Sequence, residues 1–392
     1  MNSPVKKSLS AFFVLSGTVI GASFLALPYI AVKSGLALTL GYLFFLTIIV
    51  TLIHYFYAEV VASTADFLRL PSYAKIYLGE IGRIAALTAT LIGFFGSLLA
   101  YIIVGADFLK GLAVSFFSDQ TVFSSSHFAY AFLFFILGAV IVFFGKKAVS
   151  EVDFLDVLLF VFVLGAVSIF GWSSWKLANL SAGSGSLAAA GAGPAASGRD
   201  FINLFLPYGV ILSALWGATV IPEMEEILGD SKRLLKKVAP WGVIIPAIFY
   251  LFFILVVLGI TGNGATSESI SGLKNYLPPA LGKFLFFFGL IVVFTSYVSI
   301  GLALRNMLRF DLGVKKRSAW AIACFAPFLL YLAGFRNFIS VIGFVGAIAL
   351  AIEGILIILM YNKIKGYRWL TLPLVLILAA GIIYEIFYFV NF

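Results

Sequence analysis

Long apolar segments follow one another along almost the whole chain, separated by short polar connectors. An α-helix needs about 20 residues to cross the hydrocarbon core of a bilayer, and most of these segments are long enough. The segments lie near residues 9–32, 36–61, 85–114, 127–145, 153–175, 201–222, 238–261, 281–304, 318–334, 338–361 and 369–391. This pattern predicts an all-α polytopic membrane protein with eleven transmembrane helices.

The first apolar segment contains residues that do not favour a continuous helix. Gly17 and Gly21 lie in its middle, and Pro28 follows them. Glycine lowers the cost of leaving helical geometry, and proline removes a backbone donor. Polar backbone groups freed at membrane depth must face protein or a water-filled cavity. The break is therefore a candidate binding site, although Gly17-x-x-x-Gly21 is also a pattern for close helix packing.

The sixth apolar segment is interrupted in the same way, because Gly209, Ser213 and Gly217 precede Pro222. With five segments in each half, the first and sixth segments enter the bilayer from opposite sides. Paired interruptions at matched positions of two inverted repeats indicate a transporter site near the midplane. We therefore predict a first repeat at residues 1–180, a flexible external linker at 181–200, a second repeat at 201–361 and an extra span at 362–392.

Composition excludes several other classes of protein. The chain has 392 residues, of which 62% are hydrophobic and 11% are charged, too apolar for a soluble globule. One cysteine and two histidines leave no Cys-based or His-rich metal site. Motifs such as H-E-x-x-H and G-x-S-x-G are absent from the sequence, which argues against an enzyme. We expect no cofactor, apart from a coupling ion.

The positions of the basic residues predict the orientation. With the amino terminus inside, 19 of the 26 Lys and Arg residues lie on the cytoplasmic side. This bias predicts a cytoplasmic-membrane protein with its amino terminus inside and its carboxyl terminus outside. It also explains the formal net charge of +9 by topology. The expected partners are a small-molecule substrate and membrane lipid, not nucleic acid, and the oligomeric state is not predicted.

The interrupted segments resemble those of amino acid permeases. The first resembles the signature G-x-x-I-G-A-G…L-A-L-P of the amino acid–polyamine–organocation superfamily, and its nearest likeness is to the amino acid/auxin and tryptophan/tyrosine permease branch. Residues 294–301 and 222–226 also resemble stretches of those permeases. The resemblance implies the leucine-transporter-like fold, a five-plus-five inverted repeat with broken helices 1 and 6. Ser23 departs from the glycine usual in that branch.

The resemblance and the backbone chemistry together give the candidate substrate site. Free amides of the first break would bind a carboxylate, helped by the positive end of the outer half-helix. Unwound carbonyl groups of the sixth segment, at about Ile211 to Leu215, would bind an ammonium group. Tyr101 lies on a small, polar face of the third segment. The predicted substrate-binding residues are Gly17, Thr18, Val19, Ile20, Gly21, Ala22, Ser23, Tyr101, Ile211, Ser213, Ala214, Leu215 and Trp216. Trp216 and Tyr208 are candidates for an aromatic wall.

Two coupling ions remain possible. The hydroxyl groups of Thr295, Ser296 and Ser299, with the carbonyl groups of Gly17 and Ile20 that the resemblance places opposite them, would form a Na⁺ site. Glu353 lies in the tenth segment on the face of Gly346, and an ionisable group inside a membrane is a functional hypothesis by default. It could instead bind and release a proton. His54 is a further proton-relay candidate, or a histidine that a neighbour satisfies.

The sequence therefore predicts a symporter that carries amino acids by alternating access, coupled to H⁺ or Na⁺. A nutrient sensor that resembles a transporter but carries nothing is one alternative. An amino acid exchanger or facilitator is another.

Overall fold

A computed structural model of the chain describes residues 4–116, 126–144, 152–181 and 198–391. All α-helices and shorter helical turns in these ranges come from apolar segments or their flanks, and these ranges contain no strand. Residues 182–197 of the predicted linker lie outside the described residues.

The described ranges contain fifteen α-helices. In chain order they are α1 (Pro4–Val19), α2 (Leu27–Ser34), α3 (Leu36–Ser63), α4 (Leu70–Phe116), α5 (His127–Phe144), α6 (Val152–Gly171), α7 (Gly198–Leu215), α8 (Ile221–Leu228), α9 (Leu235–Thr261), α10 (Ile270–Leu273), α11 (Pro279–Phe310), α12 (Lys316–Leu332), α13 (Phe338–Phe344), α14 (Ala351–Lys365) and α15 (Arg368–Asn391). Helix α7 begins at Gly198, within the predicted linker.

The predicted membrane class agrees with this architecture. Eight helical stretches of the described residues are long and apolar enough to cross a membrane, and a ninth is present if α1 and α2 form one span. Large apolar side chains such as Phe132, Leu133 and Phe144 of α5 are exposed, as expected for a surface that faces lipid. The predicted number of eleven spans and the inverted repeat stay predictions.

Helix α4 is longer than the predicted third span. The sequence predicts a connector at residues 62–84, partly helical along the membrane surface. In the structure a single helical stretch begins at Leu70 and bends at Gly79, whose φ of 78° and ψ of −164° are not helical. Glycine adopts a positive φ without the steric cost that a side chain brings. The residues before Gly79 thus form a short helical arm, and those after it form the long helix.

A π-helical turn, Val345–Leu350, separates α13 from α14. The turn packs closely on α7, because a Cβ atom at Gly346 would overlap the carbonyl group of Gly209. π-Turns of this kind are rare and frequently occur at functional sites. This turn brings the start of α14 against the second interrupted helix.

Ion pairs join several helix ends. Glu59, near the end of α3, is almost fully buried, and its two carboxylate oxygens each lie 2.8 Å from a lysine Nζ atom, one of Lys236 and one of Lys365. Arg69 pairs with Asp311 at 3.2 Å. The Glu59 pairs tie the end of α3 to the start of α9 and the end of α14, and the Arg69 pair ties the start of α4 to the end of α11.

Candidate functional site

The first interruption lies between α1 and α2. Helix α1 ends at Val19, a 3₁₀ turn follows at Ser23–Ala26, and the chain bends by 46° across the break. Pro28 lies in the first turn of α2, where the missing N–H of proline costs nothing. The glycine and proline pattern thus marks a real break in the helix.

The break releases polar backbone groups inside the protein. The Gly21 amide donates to the Val19 carbonyl at 2.7 Å, and not to its helical acceptor, the carbonyl of Gly17. Among the backbone hydrogen bonds of the described residues, none uses the amides of Ala22 and Ser23. These two amides precede α2, so they lie at the positive end of its helix dipole. The arrangement suits a carboxylate group.

The second interruption begins later than the sequence suggested. Ile211, Ser213, Ala214 and Leu215 are helical, and α7 ends at Leu215, so the unwinding covers Trp216 and Gly217 and not residues 211–215. Helix α8 starts at Ile221, again with a proline in its first turn. The carbonyl groups of the last turn of α7 carry the negative end of a helix dipole. These carbonyl groups can still accept hydrogen bonds from an ammonium group, although they belong to a helix end and not to an unwound segment.

Two contacts join the interruptions directly. Ser23 Oγ lies 3.0 Å from Ser213 Oγ. The buried Tyr250 hydroxyl lies 2.7 Å from the Val19 carbonyl oxygen and 3.1 Å from the Ala214 carbonyl oxygen. The single hydroxyl proton is therefore shared between the last residue of α1 and the last turn of α7. The two broken helices meet at one place in the protein.

Tyr101 lies beside the first break. A Cβ atom at Gly21 would stand 3.5 Å from the Tyr101 hydroxyl, and that hydroxyl also lies near the side chain of Ser296 of α11. Gly21, Ser23, Tyr101, Ser213 and Ser296 are all partly exposed, although buried residues flank most of them. Such a pattern is expected of residues that line an internal cavity. The structure thus brings together the predicted residues of both breaks and of the third span.

Glu353 is buried next to the second break. Its Oε1 atom accepts a hydrogen bond from Thr90 of α4 at 2.7 Å, and its Oε2 atom accepts one from the Trp216 indole N–H at 3.1 Å. The sequence predicted that Glu353 points inward, and its side chain is 1% exposed. The carboxyl group therefore contacts α4 and the unwound part of the sixth segment.

The three hydroxyl residues of α11 make different contacts. Thr295 and Ser299 donate to the carbonyls of Val292 and Thr295 in their own helix, both at 2.9 Å. Ser296 lies near the Tyr101 side chain, which stands beside the first break. Ile20 is buried near that break, where its amide donates to the Ser16 carbonyl at 2.9 Å. The described residues contain no group of three or more His, Cys, Asp or Glu side chains placed for a metal ion.

The two candidate aromatic residues make their observed contacts with α14 and α15. Trp216 faces α14, where its indole binds Glu353. Tyr208 packs against Gly381 of α15, and its buried hydroxyl has no partner among the described residues. Neither contact by itself forms a wall over the Ser23–Ser213 pair.

Two residues of the site, Tyr250 and Thr90, were not predicted from the sequence, and the partner of a third, His54, was not predicted. Tyr250 bridges the two breaks, Thr90 binds Glu353, and His54 accepts from the Gly217 amide at 3.1 Å. Each lies in an apolar helix without a motif, so spacing along the chain carried no signal. His54 had been noted only as a lone histidine with two possible roles.

Comparison with known proteins gives a consistent result. The model of the tryptophan/tyrosine permease family matches residues 5–376. Tyrosine-specific transport system 1 of Haemophilus influenzae is 28% identical over 116 residues. That match spans 30% of this chain and 29% of the relative's length.

Two solved structures resemble the whole helical arrangement. MhsT in complex with L-phenylalanine has a TM-score of 0.65 at 15% identity, and the match covers 95% of this chain and 98% of that one. Mhp1, a nucleobase-cation-symport-1 family transporter in a closed conformation with bromovinylhydantoin bound, has a TM-score of 0.63 at 11% identity, with 89% and 77% covered. At these identities the likeness establishes the fold alone.

Proposed function

Because this chain belongs to the tryptophan/tyrosine permease family, we propose that it is a secondary active transporter that carries amino acids across the cytoplasmic membrane by alternating access. It is an integral membrane protein, and its family and structural neighbours are transport proteins and not enzymes. In this proposal it has eleven spans, a five-plus-five inverted repeat, an internal amino terminus and an external carboxyl terminus.

One observation carries the proposal. The two broken helices meet through the Ser23–Ser213 contact, with free amides on the α2 side and helix-end carbonyls on the α7 side. An amino acid has a carboxylate and an ammonium group at a fixed short spacing, so it can bind both sides at once. Half-helix ends at the midplane are how transporters of this architecture bind such groups.

The substrate class follows from the relatives. One is named a tyrosine-specific transport system, and MhsT was solved with L-phenylalanine. We therefore propose an amino acid with an aromatic side chain. A cluster of buried rings supports this choice, since Phe24, directly after Ser23, contacts Phe160, Tyr250 and Phe253 at centroid distances of 4.7 to 5.7 Å.

We propose that the coupling ion is a proton and that Glu353 binds it. Both carboxylate oxygens accept hydrogen bonds, one from Thr90 and one from Trp216. A bound proton neutralises the carboxylate, so the hydrogen bonds that it accepts from Thr90 and Trp216 lose their charge assistance and weaken. Protonation thereby changes the strength of the hydrogen bond that holds Trp216 in the second break. Coupling requires such a difference, because an ion can shift a conformational equilibrium only if it interacts differently with the two states.

Sodium is the second candidate ion. The break leaves the Gly17 carbonyl without its helical donor, and hydroxyl groups of Thr295, Ser296 and Ser299 are suitable oxygen ligands. In this version Gly17 and Ile20 supply carbonyl oxygens and Glu353 has no part in coupling. In both versions the ion is carried with the substrate.

Uptake of labelled tyrosine into proteoliposomes tests the function and separates the two ions. We expect a pH gradient, acidic outside, to drive accumulation without sodium, and Glu353→Gln to abolish gradient-driven accumulation while exchange continues. The matched control is Glu385→Gln, a partly buried carboxyl group in α15 that makes no hydrogen bond to Thr90 or Trp216, and it should keep the wild-type response. Accumulation that needs sodium, and that Thr295→Val with Ser296→Ala removes, supports the second candidate.

Other results separate the remaining alternatives. Uptake that responds to neither gradient contradicts symport and leaves an exchanger or facilitator. If tyrosine stabilises the purified protein against heat but is never carried, the sensor interpretation is correct, because a ligand stabilises any state that it binds.

A further inference from the structure

His54 is fully buried in α3 and makes two hydrogen bonds. Its Nδ1 atom lies 2.8 Å from the Val50 carbonyl oxygen in the preceding turn. Its Nε2 atom lies 3.1 Å from the backbone nitrogen of Gly217, in the interruption between α7 and α8. Both ring nitrogens are therefore satisfied.

These two partners determine where the imidazole proton lies. The Val50 carbonyl can only accept, so Nδ1 must carry the hydrogen. The Gly217 amide can only donate, so Nε2 must offer its lone pair. The contacts are compatible with one species, the neutral ring protonated at Nδ1. A second proton on Nε2 would remove the acceptor that Gly217 uses.

Gly217 is a position where the chain needs such an acceptor. Its φ of −144° and ψ of 15° are not helical, so its amide has left the helical ladder. The space around it is full, because a Cβ atom there would overlap the side chains of Leu15 and Val19. Water cannot readily replace the lost helical bond at such a site, and an unpaired buried amide is costly.

We infer that His54 is a positioning residue that holds the second interruption in place as a permanent neutral acceptor, and that it does not relay protons. Trp216, the neighbouring residue of the break, is held by two contacts. Its indole N–H donates to Glu353, and its ring meets the His54 ring edge to face at a centroid distance of 5.6 Å. Helices α3 and α14 thus fix two successive residues of the break. This inference rests on the proposed transport function.

Three substitutions at His54 test whether the position of the acceptor atom matters or only the polarity of the side chain. Gln places its amide oxygen near the position of Nε2, so His54→Gln can still accept from Gly217. Asn is equally polar but reaches only the position of Nδ1, and Leu has no acceptor. We expect His54→Gln to keep the maximal tyrosine uptake rate within about threefold of wild type, and Asn and Leu to lower it about tenfold or more. The pH profile of uptake should be the same for wild type and His54→Gln.

Hydrogen–deuterium exchange of peptides that contain Gly217 tests the contact itself, whether or not the protein transports. We expect faster exchange of this amide in the Asn and Leu variants and wild-type protection in the Gln variant. Wild-type uptake and protection in His54→Asn would overturn the inference, as would loss of proton-driven accumulation in His54→Gln with exchange intact. A wild-type protein without uptake contradicts the proposed function instead, and the exchange data still decide the role of His54.

Discussion

Gly21 leaves the space over the free amides of the first break open. A Cβ atom added there would stand 3.5 Å from the Tyr101 hydroxyl and 3.6 Å from the Thr18 carbonyl oxygen, which are ordinary contact distances. One methyl group therefore fits, whereas a longer side chain must extend beyond it toward neighbours such as the Tyr101 hydroxyl. The size of residue 21 is thus a direct probe of whether the space beside the first break holds the substrate.

We expect Gly21→Leu to abolish tyrosine binding and Gly21→Ala to weaken it by about tenfold or less, because only leucine fills the space over the amides. Tyrosine-induced thermal stabilisation of the purified protein measures this. Both variants should elute as monodisperse protein, since the new Cβ atom meets its neighbours only at ordinary contact distances. Normal stabilisation of Gly21→Leu by tyrosine would mean that the break serves helix packing only.

At the residue scale the sequence predicted part of the site. Gly21 and Ser23 were predictable because the glycine and proline pattern that breaks a helix is local. The inward direction of Glu353 was predictable from its spacing to Gly346 along one helix face. Its partners Thr90 and Trp216 were not, because they lie far away in the chain and depend on how three helices pack.

At the scale of the helices, α7 packs backbone to backbone against the end of α13 and the π-turn that follows it. A Cβ atom at Gly209 would meet the Gly343 carbonyl, and one at Gly346 would meet the Gly209 carbonyl and the Ser213 amide. Backbone atoms cannot rotate away as a side chain can. These glycines therefore fix how α7, which carries the second break, stands against α14, which carries Glu353.

We expect Gly346→Ala to lower the free energy of unfolding by about 1 to 3 kcal/mol, as overpacking does in a close-packed interior. The matched control is Gly41→Ala in α3, where no atom lies within 4 Å of the new Cβ and alanine should be neutral or stabilising by up to about 1 kcal/mol. Thermal unfolding in detergent compares the two. Equal melting temperatures for both variants would contradict the close backbone contact.

The π-turn and the length of α4 show what helix-scale patterns miss. Apolar periodicity indicates that a segment is helical and spans a membrane. The change from α-helical to π-helical hydrogen bonding at Val345–Leu350 cannot be predicted from the composition of the segment. The sequence predicted that residues 62–84 are partly helical but not where the helix before Gly79 begins, because a surface helix and a connector have the same mixture of polar and apolar residues. The two interruptions were predictable since glycine and proline act on their own backbone.

At the scale of the whole molecule, contacts sort the helix ends into two groups. Lys7, Glu59 and Arg69 take part in one group, with Leu228, Lys236, Asp311 and Lys365 as their partners. The other group includes the Ser269 hydroxyl on the Leu25 carbonyl, the Lys176 amide on the Gly259 carbonyl and the His127–Asp107 pair. The basic residues of the first group, Lys7, Arg69, Lys236 and Lys365, are all among those that the sequence assigns to the cytoplasm. The grouping fits the predicted topology, but which group faces the cytoplasm stays a prediction.

Helix α9 offers a direct test of this orientation, because exposed residues flank both of its ends. Arg233 precedes it in the group predicted to be inside, and Asn263 follows it in the group predicted to be outside. Its 27 residues correspond to about 40 Å, enough to cross a hydrocarbon core of about 30 Å. The single native cysteine, Cys324, is buried and can be replaced by alanine to give a background without thiols.

In that background we expect an impermeant maleimide to label Asn263→Cys in intact cells and Arg233→Cys only after the membrane is permeabilised. The reason is the excess of basic residues on the Arg233 side, which are retained in the cytoplasm during insertion. Labelling of Arg233→Cys alone in intact cells would reverse the orientation of the whole protein. Labelling of both in intact cells would mean that α9 does not cross the membrane. The predicted inverted repeat, in which the first and sixth segments enter the bilayer from opposite sides, would then be wrong.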